Sequence, residues 1–397
     1  MVLLCLLLHL LLSPLEVQAR SNDQWASYID NVIVREMKNQ RLPSVAAAIV
    51  KDGKILYMTC KGWANIQENI PCTPKTNYLI ASVSKTVTAT AVMQLVEQGK
   101  IDLDEDINLY LPFQVRNPFY PDSRLTIRQL LTHTASIRDN YDFMDEYYEN
   151  NRDPSISLGS CVKGYFSKDG YDYSKRNFYR YRPGHRANYS NMGFALLGYI
   201  VETVSKASFE SYSQKNIFTP LCMKNTSWLL SPFQKDMKSV AVPYRYSSSS
   251  GKFVPYKHYT FADYPDGGLR TSVQHMANFL IMYLNGGTFV GSNGKKSTVL
   301  RTSTIQQMLT VQQPSVDAYQ GLCWYKEKFF PNNRAGLFWS HNGGESGVST
   351  DVALYPSQNA AVVAFSNGED SLEGIVDALL TAASQMSSSS DSFNFSC

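Results

Sequence analysis

The chain has 397 residues, 44% apolar and 18% charged, the balance of a packed globular protein rather than a disordered one. A formal charge of +3 is too slight to argue for a nucleic-acid partner. The length suits one large domain or two intertwined ones, and no run of residues is apolar for long enough to cross a bilayer.

Residues 1–19 read as a signal peptide. Residues 2–12 are apolar apart from His9, and Val17-Gln18-Ala19 offers small residues for cleavage. The expected product is a secreted, extracellular protein with no stable membrane insertion once the leader is removed. Beyond the leader remain Cys60, Cys72, Cys161, Cys222, Cys323 and Cys397. An even set in an exported chain suggests disulfides and leaves their pairing open, with Cys60 and Cys72, which flank a short loop, expected to be joined. Asn225-Thr226-Ser227 and Asn394-Phe395-Ser396 are glycosylation sequons, which suits a glycoprotein. A third, Asn188-Tyr189-Ser190, is expected to be too buried for modification.

Residues 23–40 form an amphipathic helix, with Trp25, Ile29, Val32, Ile33 and Met37 at helical spacing and Pro43 beyond its end. Residues 44–50 and 54–60 are β-rich and joined through Asp52-Gly53, a strong hairpin signal. Residues 76–80 are extended. A helix follows over 86–99, with Val87, Ala91, Val92, Leu95 and Val96 apolar and Gly99 as its stop. After a loop rich in proline, 126–132 resumes as a short helix with Thr126 as N-cap. Residues 141–189 are dense in tyrosine and phenylalanine. Their acids (Asp142, Asp145, Glu146, Glu149) and bases (Lys175, Arg176, Arg180, Arg182, Arg186) are segregated and expected to pair with each other as a solvated loop. The aromatics either line an acyl pocket or pack a loop-rich region. Helices are expected over 193–205, 209–216, 273–284 and 372–386, with 247–251 as a turn between them. Residues 348–355 and 360–366 form a hairpin.

Strands therefore sit at both ends and helices between. This predicts an α+β fold: an antiparallel sheet built from both chain ends, flanked by helices, with a largely helical insertion. Residues 20–80 and 272–386 would supply the α/β part, 81–271 the mainly helical part, and 387–397 a Ser-rich tail.

Three segments carry chemistry: Ser82-Val83-Ser84-Lys85, Tyr189-Ser190-Asn191 and His341-Asn342-Gly343-Gly344. Ser82 and Lys85, at i and i+3, share one face of a helix near its N-terminus, where free N–H groups and the dipole favour negative charge. In order and rough spacing these segments resemble the three motifs of the serine β-lactamase and penicillin-binding-protein superfamily. The likeness is greatest to the class C β-lactamase and esterase branch, with Tyr-x-Asn second and often His-x-Gly third. The surroundings resemble it too, at Leu125 to Thr134, Gly193 to Gly198, Gly267 to Thr271 and Gly343 to Gly347.

The resemblance implies the β-lactamase/transpeptidase-like fold and an acyl-enzyme on Ser82, with esterase, amidase, peptidase or transacylase outcome on a small ester, amide or peptide. It assigns the proton relay jointly to Lys85 and Tyr189, with burial lowering the lysine's pKa. Asn191 would accept from Lys85 and donate to a substrate carbonyl. Gly343 would admit the substrate backbone, and the N–H groups of Ser82 and Gly344 would form the oxyanion hole. His341 and Asn342 replace the family's commoner Lys and Thr or Ser. That suits an esterase or peptidase better than an antibiotic-hydrolysing enzyme and predicts pH sensitivity near neutrality. The alternatives are a non-catalytic binding protein that retains the fold, or a true β-lactamase or D-alanyl peptidase.

A Ser82–His133 triad lacks a Gly-x-Ser-x-Gly elbow. The histidines and cysteines show no zinc spacing, and residues 291–297 lack the hydroxyl of a phosphate-binding loop. No metal or cofactor is expected.

Overall fold

The computed structural model describes residues 20–388. The signal peptide, the Asn394 sequon and most of the Ser-rich tail lie outside them.

Helix α1, Asn22–Asn39, opens on a capping box in which the Ser21 and Gln24 side chains each bond the other's backbone. Its buried stripe is Trp25, Ile29, Val32 and Ile33. Strands β1 (Ser44–Lys51) and β2 (Lys54–Asn65) follow as a hairpin. Asp52 and Gly53 take φ of 51° and 74°, the left-handed pair that matches strand twist in a two-residue turn. β3, Ile70–Pro71, extends the edge, and the Cys60–Cys72 disulfide closes that loop.

The remaining strands come from the other end of the chain: β4 (Tyr325–Phe329), β5 (Gly336–Glu345), β6 (Val348–Tyr355) and β7 (Ala360–Ser366). The sheet runs β4-β5-β6-β7-β1-β2-β3 and every pairing is antiparallel. The two ends meet at its centre, where Val45 faces Ser366 and Lys51 faces Ala360. That centre is covered on both sides, so β1 and β7 read as continuous apolar runs rather than alternating ones.

Val45, Ala47, Ile49, Val362 and Ala364 face α1 and the closing helix α5, Glu373–Gln385. Ala46, Ala48, Val50, Val363 and Phe365 face the larger core, which includes α2 (Ser84–Glu97), α3 (Asn191–Ser205) and α4 (Val273–Leu284). Every residue of α2 from Ser84 to Leu95 is buried, so its polar groups need partners inside the protein. Most have them: Thr88 donates to the Pro265 carbonyl at 2.6 Å and the Gln94 amide nitrogen to the carbonyls of Asn216 and Val299, while Gln94 Oε1 has no partner.

The middle of the chain is less purely helical than expected. Asn77–Leu79 pairs with Arg270–Ser272, Tyr148–Asn150 with Tyr259–Phe261, and Tyr244–Ser247 with Lys252–Pro255 across the expected turn. Helices at Leu158–Phe166 and Thr302–Met308 were not anticipated. The segregated charges do not pair with each other either. Glu149 bonds Arg152, while Arg180 and Arg186 lie over the rings of Phe119 and Tyr181. For these two arginines, cation–π contact takes the place of the expected ion pairs.

Candidate active site

The strand Asn77–Leu79 leads into a sharp turn at Ile80, and Ala81 takes a left-handed φ of 45°. A non-glycine residue there costs roughly 1–3 kcal/mol and persists only where its surroundings demand it. The turn becomes the 3-10 segment Ala81–Val83 and then α2. Ser82 is thus set at the mouth of a fully buried helix.

Lys85, one turn on, is completely buried. Its Nζ donates to Ser82 Oγ at 3.0 Å, to Asn191 Oδ1 at 2.8 Å and to the Asp266 carbonyl at 2.6 Å. Those are all the donors an ammonium has. Burial works to lower the Lys85 pKa, but Tyr189 and Asp266 oppose it and the net direction is upward. The downward shift expected from the sequence does not appear, because burial comes with acidic partners. Lys85 rests as an ammonium.

Tyr189 keeps 45% of its surface in solvent, but its ring lies against the Lys85 ammonium, Nζ 4.9 Å from the ring centre, and its hydroxyl interacts with both Lys85 and Ser82. Burial there raises the phenol's pKa, against the pull of the Lys85 charge and the Ser82 hydroxyl. The ring packs against His133, tilted by 33° with centroids 4.4 Å apart, and His133 Nδ1 accepts the Ser190 N–H at 3.1 Å. His133 therefore holds the Tyr189 turn and is not a base for Ser82.

Asn191 begins α3. Asp139, which no motif indicated, fixes this start: its carboxylate receives the N–H groups of Asn191 and Met192 and the Ser190 hydroxyl at 2.7, 3.1 and 2.9 Å. An acid at a helix N-terminus is a general device, so only its position after His133 could have pointed to it.

The third segment lies on β5. β4 pairs only with the first half of that strand, Gly336 to Ser340, so the second half meets the Ser82 turn. A Cβ on Gly343 would come within 2.6 Å of Thr350 Oγ1, 2.8 Å of Ser82 N and 2.9 Å of the Ile80 carbonyl. The glycine thus admits the Ser82 turn itself, not the substrate backbone as expected from the sequence. Thr350 ties the two together by donating to the Ile80 carbonyl at 2.8 Å. Gly344 differs: nothing lies within 4 Å of where its Cβ would be.

His341 is buried, with Nδ1 2.8 Å from the Asn342 carbonyl. That bond puts the proton on Nδ1 and leaves Nε2 an acceptor, for which no partner is present. Burial and the nearby Lys85 charge push its pKa down to about 3, so it is neutral at every physiological pH. The expected sensitivity near neutrality is therefore absent.

Ser82, Asn191 and Gly344 open on a cavity of about 60 Å³, walled by Tyr141, Tyr148 and Phe261 and by Asp145, Asp263, Asp266 and Glu345. Part of the tyrosine-rich stretch thus lines the site, while Phe143, Tyr165, Phe166 and Phe178 pack the core.

A serine hydroxyl is held by a buried lysine, with an asparagine at the start of α3 and a tyrosine just before it, an arrangement chemically suited to acyl transfer. The chain belongs to the Beta-lactamase family, whose model matches residues 29–385. Protein flp of Staphylococcus aureus (strain MRSA252) is 25% identical over 340 residues, 85% of this chain and 62% of that protein. Beta-lactamase-like protein 2 of Dictyostelium discoideum is 25% identical over 300 residues, 72% of this chain and 52% of that one. The chain thus spans about three fifths or less of the length of these curated relatives. Among solved structures, the octameric penicillin-binding protein homologue from Pyrococcus abyssi superposes with a TM-score of 0.70 at 26% identity, covering 89% of this chain and 76% of that one. A penicillin binding protein from Bacillus halodurans shares the fold at TM-score 0.68 and 24% identity, over 88% and 98% of the two chains.

Proposed function

We propose that the protein is a secreted serine hydrolase that forms an acyl-enzyme on Ser82, acting on a small ester, amide or peptide. The observation that carries this reading is the Lys85 ammonium, bound at once to the Ser82 hydroxyl and to Asn191, with Tyr189 in reach of both.

Because Lys85 spends its donors on Ser82, Asn191 and Asp266, it has no lone pair to offer as a base. The Lys85–Tyr189 pair rests with both protons, so the reactive form is the one that has lost one of them to solvent; in that form the Tyr189 oxygen, ionised beside the Lys85 ammonium, takes the Ser82 hydroxyl proton. Ser82 Oγ bonds the carbonyl carbon, and the N–H groups of Ser82 and Gly344 take the oxyanion, each worth ~3 kcal/mol in the transition state. The leaving group departs with the proton from Tyr189. Water, or a second alcohol or amine, then repeats the sequence on the acyl-enzyme. Asn191 orients the substrate carbonyl while its Oδ1 remains on Lys85.

The neutral His341 supports an esterase or peptidase reading over a β-lactamase one, since it offers no cation to a substrate carboxylate. Export, with cleavage after Ala19, is consistent with the Cys60–Cys72 disulfide. The test is labelling with a fluorophosphonate probe, followed by an ester, amide and lactam panel. Labelling abolished by Ser82→Ala, with p-nitrophenyl acetate turnover lost in Lys85→Ala, is expected. Absent labelling, or labelling that survives Ser82→Ala, overturns the mechanism.

A further inference from the structure

β5 separates the Ser82 cavity from a second one that has no part in the chemistry above. This cavity, about 310 Å³, lies between the α5-facing side of β4–β6 and the start of α5, and Glu327, Asn342, Gly344, Asp351 and Glu373 line it. Asn342 is the register partner of Asp351, so both side chains project to this face. Asp351 is 7% exposed, and its Oδ1 has no hydrogen-bond partner. A buried carboxylate oxygen without a donor is costly and rare in native proteins. Glu327 accepts from Ser340 at 2.8 Å and, over a long 3.5 Å, from the Asn342 amide, so its carboxylate keeps room for a stronger donor. Lys328 also lines the cavity, but its ammonium lies 5.3 Å from the centre of the Phe330 ring.

The chemistry that fits is a cation with N–H groups. Among the described residues no group of His, Cys, Asp and Glu is arranged to hold a metal ion, which leaves an organic ammonium. The two cavities meet at a single residue. Gly344 is the one residue that lines both cavities, and the space beyond its α-carbon is open. The Ser82 cavity is itself acidic, through Asp145, Asp263, Asp266 and Glu345.

We propose that the second cavity is a substrate subsite for an alkylammonium group, so that the preferred ester or amide carries a primary or secondary amine that passes Gly344 to reach Asp351, Glu327 and Glu373. An arriving N–H donor satisfies Asp351 Oδ1, and the cation favours the ionised form of a carboxyl that burial alone disfavours. The link to catalysis rests on the acyl-enzyme reading, whereas the binding itself does not.

The test therefore measures binding to the full-length Ser82→Ala protein by calorimetry, with N-(5-aminopentyl)acetamide and its uncharged analogue N-pentylacetamide. The cationic amide is expected to bind at least about tenfold tighter, as charge-assisted hydrogen bonds require. That ratio should fall to within about twofold when Asp351→Asn and Glu373→Gln are added. Glu373→Gln alone, at an exposed position in the first turn of α5, should lower the ratio about threefold and covers the case in which Asp351→Asn does not fold. Equal binding of the two amides, or a preference that survives the carboxylate substitutions, overturns the subsite. A preference found in a protein that turns over no ester would leave the subsite standing and sink the acyl-enzyme reading alone.

Discussion

The Asp139 carboxylate receives the Asn191 backbone N–H at 2.7 Å, and so fixes the residue that in turn holds Lys85 at 2.8 Å. Asp139 touches no reacting atom; it acts by this positioning and by its charge, which helps hold Lys85 protonated. Asp139→Ala is expected to cost about 1 kcal/mol of stability, the usual loss for a helix cap. Turnover should fall more than that loss explains, with kcat dropping and KM little changed. Asp139→Asn, which can still accept one of the N–H groups, should recover part of kcat. Equal kcat in wild type and Asp139→Ala would reduce the residue to a plain cap.

The two adjacent glycines should respond oppositely. Gly343→Ala drives a methyl into Thr350, Ser82 N and the Ile80 carbonyl, two of which are backbone atoms that cannot step aside. A loss of about 1–3 kcal/mol is expected, as for other overpacked sites, together with loss of activity. Gly344→Ala should leave the urea midpoint unchanged, because its methyl meets open space on the Asn342 face, yet slow turnover of substrates that reach past Gly344 into the second cavity. Urea melts beside ester kinetics on both variants separate the two.

His341 makes a prediction about acid. Its pKa falls from 6.5 to about 3 in the folded chain through burial first and the Lys85 charge second. The unfolded state therefore binds more protons between those values, so this group's contribution to stability is lost as pH falls from about 6.5 towards 3. Proton NMR should find the imidazole neutral at pH values well below its ordinary range. The pH–rate profile should show no limb near neutrality that moves in His341→Gln.

Asp263 has the opposite sign. Burial raises its carboxyl from 3.8 to about 7, so the folded state holds the extra proton in that window and stability is lost as pH rises through it. Asp263→Asn removes the titration. Relative to wild type, the variant should gain stability steadily as pH rises from about 4 to about 7, read from denaturant unfolding in steps across the window. A difference that stays flat would show that the carboxyl titrates normally.

Much of this architecture was legible in the sequence because it is written in local patterns. Asp52-Gly53 between two apolar runs is a hairpin wherever it occurs, and the Thr126–Gln129 capping box sits at its expected helix start. The Leu158–Phe166 helix escaped because Gly159 and Gly164 interrupt it. Both glycines are there for tight packing, with a Cβ on Gly159 reaching 2.7 Å from Tyr199 and one on Gly164 reaching 2.9 Å from Tyr171. At the site, side-chain chemistry was readable and backbone chemistry was not. The carbonyl of Asp266, which takes one of the Lys85 protons, could belong to any residue. The purpose of Gly343 depends on which way its missing Cβ would point, and that is a property of the strand crossing rather than of the glycine. Likewise, the pKa of Lys85 depends on acids brought in from distant segments, which spacing along the chain does not disclose.

The central pairing of β1 with β7 has a consequence for the order of events during synthesis. Residues 45–51 wait for residues 360–366, so the middle of the sheet has no partner until everything between them has left the ribosome. Contacts between such distant segments are slow to form and leave apolar strand edges exposed meanwhile. The β5 strand that backs Ser82 is made equally late. The nucleophile turn therefore exists for most of translation without the strand that shapes it, and a nascent or C-terminally truncated chain would carry the serine and lysine but no working site.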